Sequence, residues 1–109
     1  MKTHYNRASL LEGKWVSPDP TQGYKGFVTI RFDTNGILYY VFEQDGTLSE
    51  LETNWQYENG VIVEERHGQV SRGSLQWMND DYFILTILEN GAPAYKGVQR
   101  HYRRIREKN

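Results

Sequence analysis

The sequence predicts an all-β domain, an antiparallel up-and-down meander barrel of about eight strands. Three observations predict it. Short turn dipeptides punctuate the chain at Asn35-Gly36, Asp45-Gly46, Asn59-Gly60 and Asn90-Gly91; Asn and Asp accept positive φ better than most residues and Gly accepts it freely. The runs between these marks are rich in β-branched and aromatic residues and alternate in polarity. No segment of any length carries a 3.6-residue period, and the best helical turn lies within residues 5–12, ahead of Gly13.

Strands are expected near residues 13–17, 25–33, 37–44, 47–57, 61–67, 69–78, 82–89 and 94–105. Pro18, Pro20 and Gly23 make 17–24 a longer loop, and Gly68 and Asn79-Asp80-Asp81 mark two further turns. The domain is expected over residues 10–105, with 1–9 as an N-terminal extension and 106–109 as a tail.

Register follows from matching apolar faces across each turn. Val28, Ile30 and Phe32 share one face. A three-residue loop through Gly36 sets Phe32 opposite Leu38, Ile30 opposite Tyr40 and Val28 opposite Phe42; a two-residue loop would set Val28 opposite Glu43, a worse burial match. A two-residue turn at Asp45-Gly46 then brings Ser49, Leu51 and Thr53 against Phe42, Tyr40 and Leu38, and Trp55 and Tyr57 continue that face. A three-residue loop through Gly60 is expected to place Val61 and Val63 against Tyr57 and Trp55. In 69–78, Val70 and Leu75 differ in parity, so an extra residue is expected near Gly73. The run 82–88 is apolar on both faces, as if covered on its second side by the N-terminal segment, a loop or a second copy.

With 109 residues the chain fits one domain able to bury a core of its own. It has no cysteine, which excludes disulfides and thiolate metal sites. Thirteen Lys and Arg against fourteen Asp and Glu leave a net charge of -1, a balance that points to neither nucleic acid nor a membrane surface as partner. Arg100, Arg103, Arg104 and Arg106 form a local basic run, but alternation divides them between faces. Charge without a following apolar stretch at residues 1–7 is not a signal peptide, so a cytoplasmic protein is expected, or an exported one had a leader been removed.

Catalytic chemistry finds little support, and the chain reads as no enzyme. Of the histidines, His4 lies near the terminus and His101 in the basic closing strand. Glu65 and His67 fall on one strand face at i, i+2, yet a metal site usually needs a third ligand and none is evident. Glu64 and Glu65 are strand neighbours that point to opposite faces and cannot act jointly. Asp80 and Asp81 fit turn chemistry. No nucleophile elbow or phosphate loop is present. No cofactor and no metal are expected.

The ordered set of motifs resembles a known family. Leu10-Leu11-Glu12-Gly13-Lys14-Trp15 is similar to the Gly-x-Trp opening of lipocalins and their calycin relatives. Phe32-Asp33-x-Asn35-Gly36, the stretch from Trp55 to Gly60, Trp77 before a turn, and the closing Tyr102-Arg103-Arg104-Ile105 resemble small bacterial lipocalin-like domains. The resemblance covers roughly residues 10–105. It implies that Trp15 floors the closed end of a barrel and that Arg103 or Arg104 caps it. It also implies a non-enzymatic domain that binds a small, partly apolar ligand in the barrel interior.

The aromatic residues bear on that function. Tyr40, Trp55, Tyr57 and Trp77 lean inward in the expected register and are the candidate ligand-binding residues, with core filling as their plainer role. The alternative function is a protein-interaction or assembly domain, with a protein partner or a homodimer, that uses an outer sheet surface. Outward-leaning Ile37, Tyr39 and Val41 would form its apolar patch.

Overall fold

A computed structural model describes residues 8–18, 26–44 and 46–106. Strands β1 (Gly13–Pro18), β2 (Gly26–Phe32), β3 (Ile37–Gln44), β4 (Thr47–Glu58), β5 (Val61–Arg66), β6 (Gln69–Asn79), β7 (Tyr82–Glu89) and β8 (Gln99–Arg104) form a closed barrel in sequence order. Every neighbouring pair is antiparallel, and β8 returns to β1 through Trp15 opposite Arg104 and Val16 opposite Arg103. A short helix α1 (Ala8–Leu11) precedes β1 within the expected 5–12, of which 5–7 lie outside the described residues together with His4. Residues 19–25, Asp45 and 107–109 also lie outside, which removes most of the expected 17–24 loop and the tail from description. Among the described residues, no helix is long and apolar enough to cross a membrane.

The first two hairpins form as the pattern of burial requires. Val28, Ile30 and Phe32 are buried and face Phe42, Tyr40 and Leu38. The Asp33 N–H donates to the Ile37 carbonyl at 3.0 Å across the loop, where Gly36 takes φ 86°. Gln44 lies opposite Thr47, which aligns Leu51 with Tyr40 and Thr53 with Leu38.

The third hairpin corrects the expected register by one residue. Asn59 and Gly60 both take positive φ, 52° and 79°, as a two-residue turn with two left-handed positions requires. Glu58 therefore pairs with Val61, Tyr57 with Ile62 and Trp55 with Glu64. A one-residue slip exchanges the two faces of a strand, so Ile62 and Glu64 point inward while Val61 and Val63 point out. Turn geometry outweighed the apolar match: Ile62 is 1% exposed, and the inward Glu64 finds partners of its own.

Two further expectations change. Ser71, Gly73, Leu75 and Trp77 keep one parity along β6, and Val70 is an exposed outward residue. Near Gly73 the irregularity falls on the opposing strand, where Arg72 pairs with Glu89 and Gly73 with Ile87, which leaves Leu88 as the bulged residue; a second shift, between Trp77 and Asn79, leaves Met78 extra on β6 itself. The closing strand is shorter than 94–105, because Pro93–Tyr95 form a 3-10 turn and Gly97 (φ 87°) leads the chain back onto β7. There the Ile87 N–H donates to Val98 O at 2.9 Å and the Gly97 N–H to Ile87 O at 2.7 Å.

Candidate functional site

The barrel has two unlike ends. The first is filled by aromatic rings. Trp15, fully buried, meets Phe83 edge-on with centroids 4.7 Å apart and Trp77 at 6.0 Å. Phe83 in turn contacts Tyr102 at 5.3 Å, and Phe32 contacts Trp55 at 4.8 Å. Helix α1 lies under this layer, where the Trp15 indole N–H donates to Leu11 O at 2.9 Å.

Arg104 seals that end. Its guanidinium lies 4.3 Å from the Trp15 ring centre. Nε donates to Asp81 Oδ1 at 2.8 Å, and Nη2 donates to Leu10 O at 2.7 Å and Asp80 O at 2.9 Å. Nη1 reaches Glu12 O at 3.1 Å. One side chain thus ties β8 to the helix, to the β6–β7 turn and to the start of β1. Arg106 adds a second cation on Asp81, and these two partners, Arg106 first, hold the Asp81 carboxyl below its ordinary range. Arg103 faces the other way, over the Tyr82 ring at 4.0 Å. The alternative left open by the sequence is thereby divided: Arg104 stacks on Trp15 and Arg103 does not. Gly13, at φ 118°, adopts a conformation that L side chains rarely take, and a Cβ there would come within 3.4 Å of Arg104 Nη1.

The second end is hollow. A cavity of about 250 Å³ opens there, walled on its apolar side by Phe42, Leu51, Leu85 and Ile87. Gly73 contributes no side chain to that wall; a Cβ at this position would lie only 3.0 Å from Leu85 Cγ.

A polar cluster lies against the apolar wall. The Tyr40 hydroxyl donates to the Glu64 carboxylate, 2.5 Å from Oε1 and 2.6 Å from Oε2, and the Thr53 hydroxyl donates to Oε1 at 2.8 Å. Arg100 lines the same cavity from β8, opposite buried Leu85. Burial pushes the Glu64 carboxyl up, against the hydrogen bonds from Tyr40 and Thr53 and the attraction of Arg100. Tyr40 rises well above the ordinary phenol, through burial first and the neighbouring carboxylate second. A carboxyl whose charge is disfavoured, two hydroxyls and a guanidinium therefore meet inside an apolar wall. This arrangement can orient the polar end of a ligand by hydrogen bonds.

Of the four interior residues expected from sequence, Tyr40 lines this cavity. Trp55, Tyr57 and Trp77 are placed toward the aromatic end: the Trp77 indole N–H donates to Tyr57 Oη at 3.1 Å, and that of Trp55 to Asp33 O at 3.4 Å. Glu64 and Arg100 were missed. The two-residue turn signal of Asn59-Gly60 would have found Glu64, and the shared parity of Arg100 with Tyr102 would have turned Arg100 inward.

Glu65 and His67 do not share a strand face as expected. His67 occupies the β5–β6 turn with φ 53°, off the strand, and the Glu65 carboxylate accepts the Gly68 N–H at 2.7 Å. That backbone hydrogen bond is the main reason the Glu65 carboxyl lies below its ordinary range. Among the described residues, no group of three His, Cys, Asp or Glu side chains is placed to hold a metal ion. His101 lies on the outer face, its Nδ1 2.7 Å from the Tyr82 hydroxyl. Ile37, Tyr39 and Val41 are half-buried on the outside of β3, with Arg31 over the Tyr39 ring at 4.3 Å. Comparison with protein-family models, curated proteins and solved structures finds no match for this chain.

Proposed function

We propose that this chain is a non-enzymatic binding domain that holds a small, partly apolar ligand in the open end of its barrel. We further propose that it belongs with the small bacterial lipocalin-like domains of the calycin superfamily, which its motifs resemble. The observation that carries the reading is the 250 Å³ cavity, with an apolar wall of Phe42, Leu51, Leu85 and Ile87 and with Tyr40, Thr53, Glu64 and Arg100 beside it. Small-molecule pockets combine an apolar lining with a few convergent polar groups and usually span ~300–1,000 Å³. A volume just under that range favours a compact ligand with one polar end over a long-chain lipid.

The neutral fluorophore N-phenyl-1-naphthylamine tests this directly. Saturable, one-to-one enhancement of its fluorescence is expected with the native protein. Leu51→Trp, which adds bulk at a half-buried wall position, should abolish it while leaving the thermal transition in place. Non-saturable enhancement, or enhancement unchanged in Leu51→Trp, would overturn the proposal.

A further inference from the structure

The barrel wall is incomplete on one side, and the break has the chemistry of a strand-binding edge. Strand β4 pairs with β3 along residues 47–54 but with β5 only from Asn54 to Glu58. Strand β5 ends at Arg66 and turns into β6, so residues 47–53 extend beyond it. The Trp55 N–H donates toward β3, to Gly36 O at 3.0 Å, and along an antiparallel strand the backbone groups of successive residues alternate between the two neighbours. Ser49, Leu51 and Thr53 therefore bond to β3. Leu48, Glu50 and Glu52 direct their N–H and C=O groups the other way, into the break. Among the described residues, no strand pairs with that edge.

The space beside the edge is open. A cleft of about 590 Å³ runs from Ile37, Tyr39 and Val41 of β3 across residues 50–54 of β4 to Glu65, Arg66 and His67 of the β5–β6 hairpin. Tyr40, Leu51, Thr53, Glu65 and Arg66 line both this cleft and the interior cavity, so the two share a wall. Leu48 is 60% exposed, and Glu43, opposite it on β3, is exposed as well.

We propose that this edge binds an extended, basic segment of another protein by adding it as a strand beside β4. Backbone groups of Leu48, Glu50 and Glu52 would supply the ladder, and alternate side chains the selectivity. Residues directly opposite on neighbouring strands have Cβ atoms only ~5 Å apart, so Glu50 and Glu52 select Lys or Arg on the outward face. Inward residues of the added strand would sit beside Leu51 and favour apolar side chains. Arg66 and His67 stand on the far bank, outside the ladder, and Arg31 is engaged with Asp33 and Tyr39. A second copy is the poorer occupant: two-fold pairing centred on Glu50 or Leu51 sets Glu50 against the partner's Glu50 or Glu52, and like charges directly opposite destabilise a sheet.

The test is amide exchange and chemical-shift mapping on the labelled protein with three synthetic octapeptides: alternating Lys-Val, alternating Glu-Val, and Lys-Val with N-methylated lysines, whose N–H groups face β4 when the lysines lie opposite Glu50 and Glu52 in an antiparallel strand. In the free protein the Leu48, Glu50 and Glu52 amides should exchange rapidly. The Lys-Val peptide should protect those amides, and the Glu-Val and N-methylated peptides should not. Glu50→Lys with Glu52→Lys should weaken Lys-Val binding about tenfold and reverse the preference toward Glu-Val. Slow exchange in the free protein, binding indifferent to charge, shifts confined to the interior cavity, or a concentration-dependent dimer that protects the same amides would each overturn the proposal. Because the readout is the β4 amides, it is independent of whether the cavity takes up N-phenyl-1-naphthylamine.

Discussion

The two ends of the barrel use similar residue types for different purposes. At the aromatic end a cation lies on an indole ring and donates to a carboxylate and to backbone carbonyls that face it from three elements. At the hollow end a carboxylate accepts two hydroxyl hydrogen bonds and an arginine stands nearby, with open space beside them. The difference lies in the neighbours. Where Trp15, Phe83, Trp77 and Tyr102 interlock, no room is left and the polar groups serve to close the end. Where Gly73 and Ser71 occupy inward positions, the wall recedes and the polar groups remain accessible. Close packing is thereby concentrated at one end, and open volume at the other.

Substitutions should separate the two ends. Trp15→Ala removes the largest fully buried side chain and should cost ~3–5 kcal/mol in urea unfolding. Arg104→Met keeps much of the stem but leaves Asp81 to Arg106 alone and withdraws the donors from the carbonyls of Leu10, Glu12 and Asp80; the side chain is only 17% exposed, so a loss of ~2–3 kcal/mol is expected. Should either variant lose fluorophore uptake in proportion to its stability, the separation of the ends would fail.

Glu64→Gln is expected to act on pH dependence more than on stability itself. The native carboxyl titrates above its unfolded counterpart, so the folded state holds its proton longer. The contribution of this group is fully present below the unfolded pKa and is lost as pH rises through the native one. The variant should therefore flatten the decline in urea midpoint on the alkaline side of the carboxylate range, with a change at neutral pH of ~1 kcal/mol or less. An unchanged midpoint profile would show that Glu64 is solvated in the native protein. Asp81→Asn should give the smallest effect and the opposite sign. That carboxyl titrates below its unfolded value, so its stabilisation holds above the unfolded pKa and disappears as pH falls through the native one. The variant should be less sensitive to acid, measured by midpoints at decreasing pH.

Much of the fold is legible in the sequence because hairpins are local. Phe32-Asp33-Thr34-Asn35-Gly36 and the alternation on either side suffice to predict the β2–β3 register residue by residue. The β4–β5 register was open to the same treatment, but an apolar match to Val61 and Val63 was weighed above the turn type. That choice hid Glu64, the acceptor at the centre of the candidate site. Arg100 is obscured for a related reason: a charged residue in a closing strand reads as surface, although it shares the parity of buried Tyr102 and so the inner face. The site therefore lay at the positions where polarity and burial disagree, which pattern reasoning is built to avoid.

The chain's own order of turns and alternating faces determined the class of fold, the strand sequence and the meander, since each of these depends on residues only a few positions apart. Tertiary closure decided the rest: which arginine lies on Trp15, which end fills and which stays hollow, and where β4 outruns β5. These depend on distances between residues as far apart in the chain as Leu10 and Arg104, joined at 2.7 Å. Such distances come from the stagger and tilt of a closed sheet, to which no single hairpin has access.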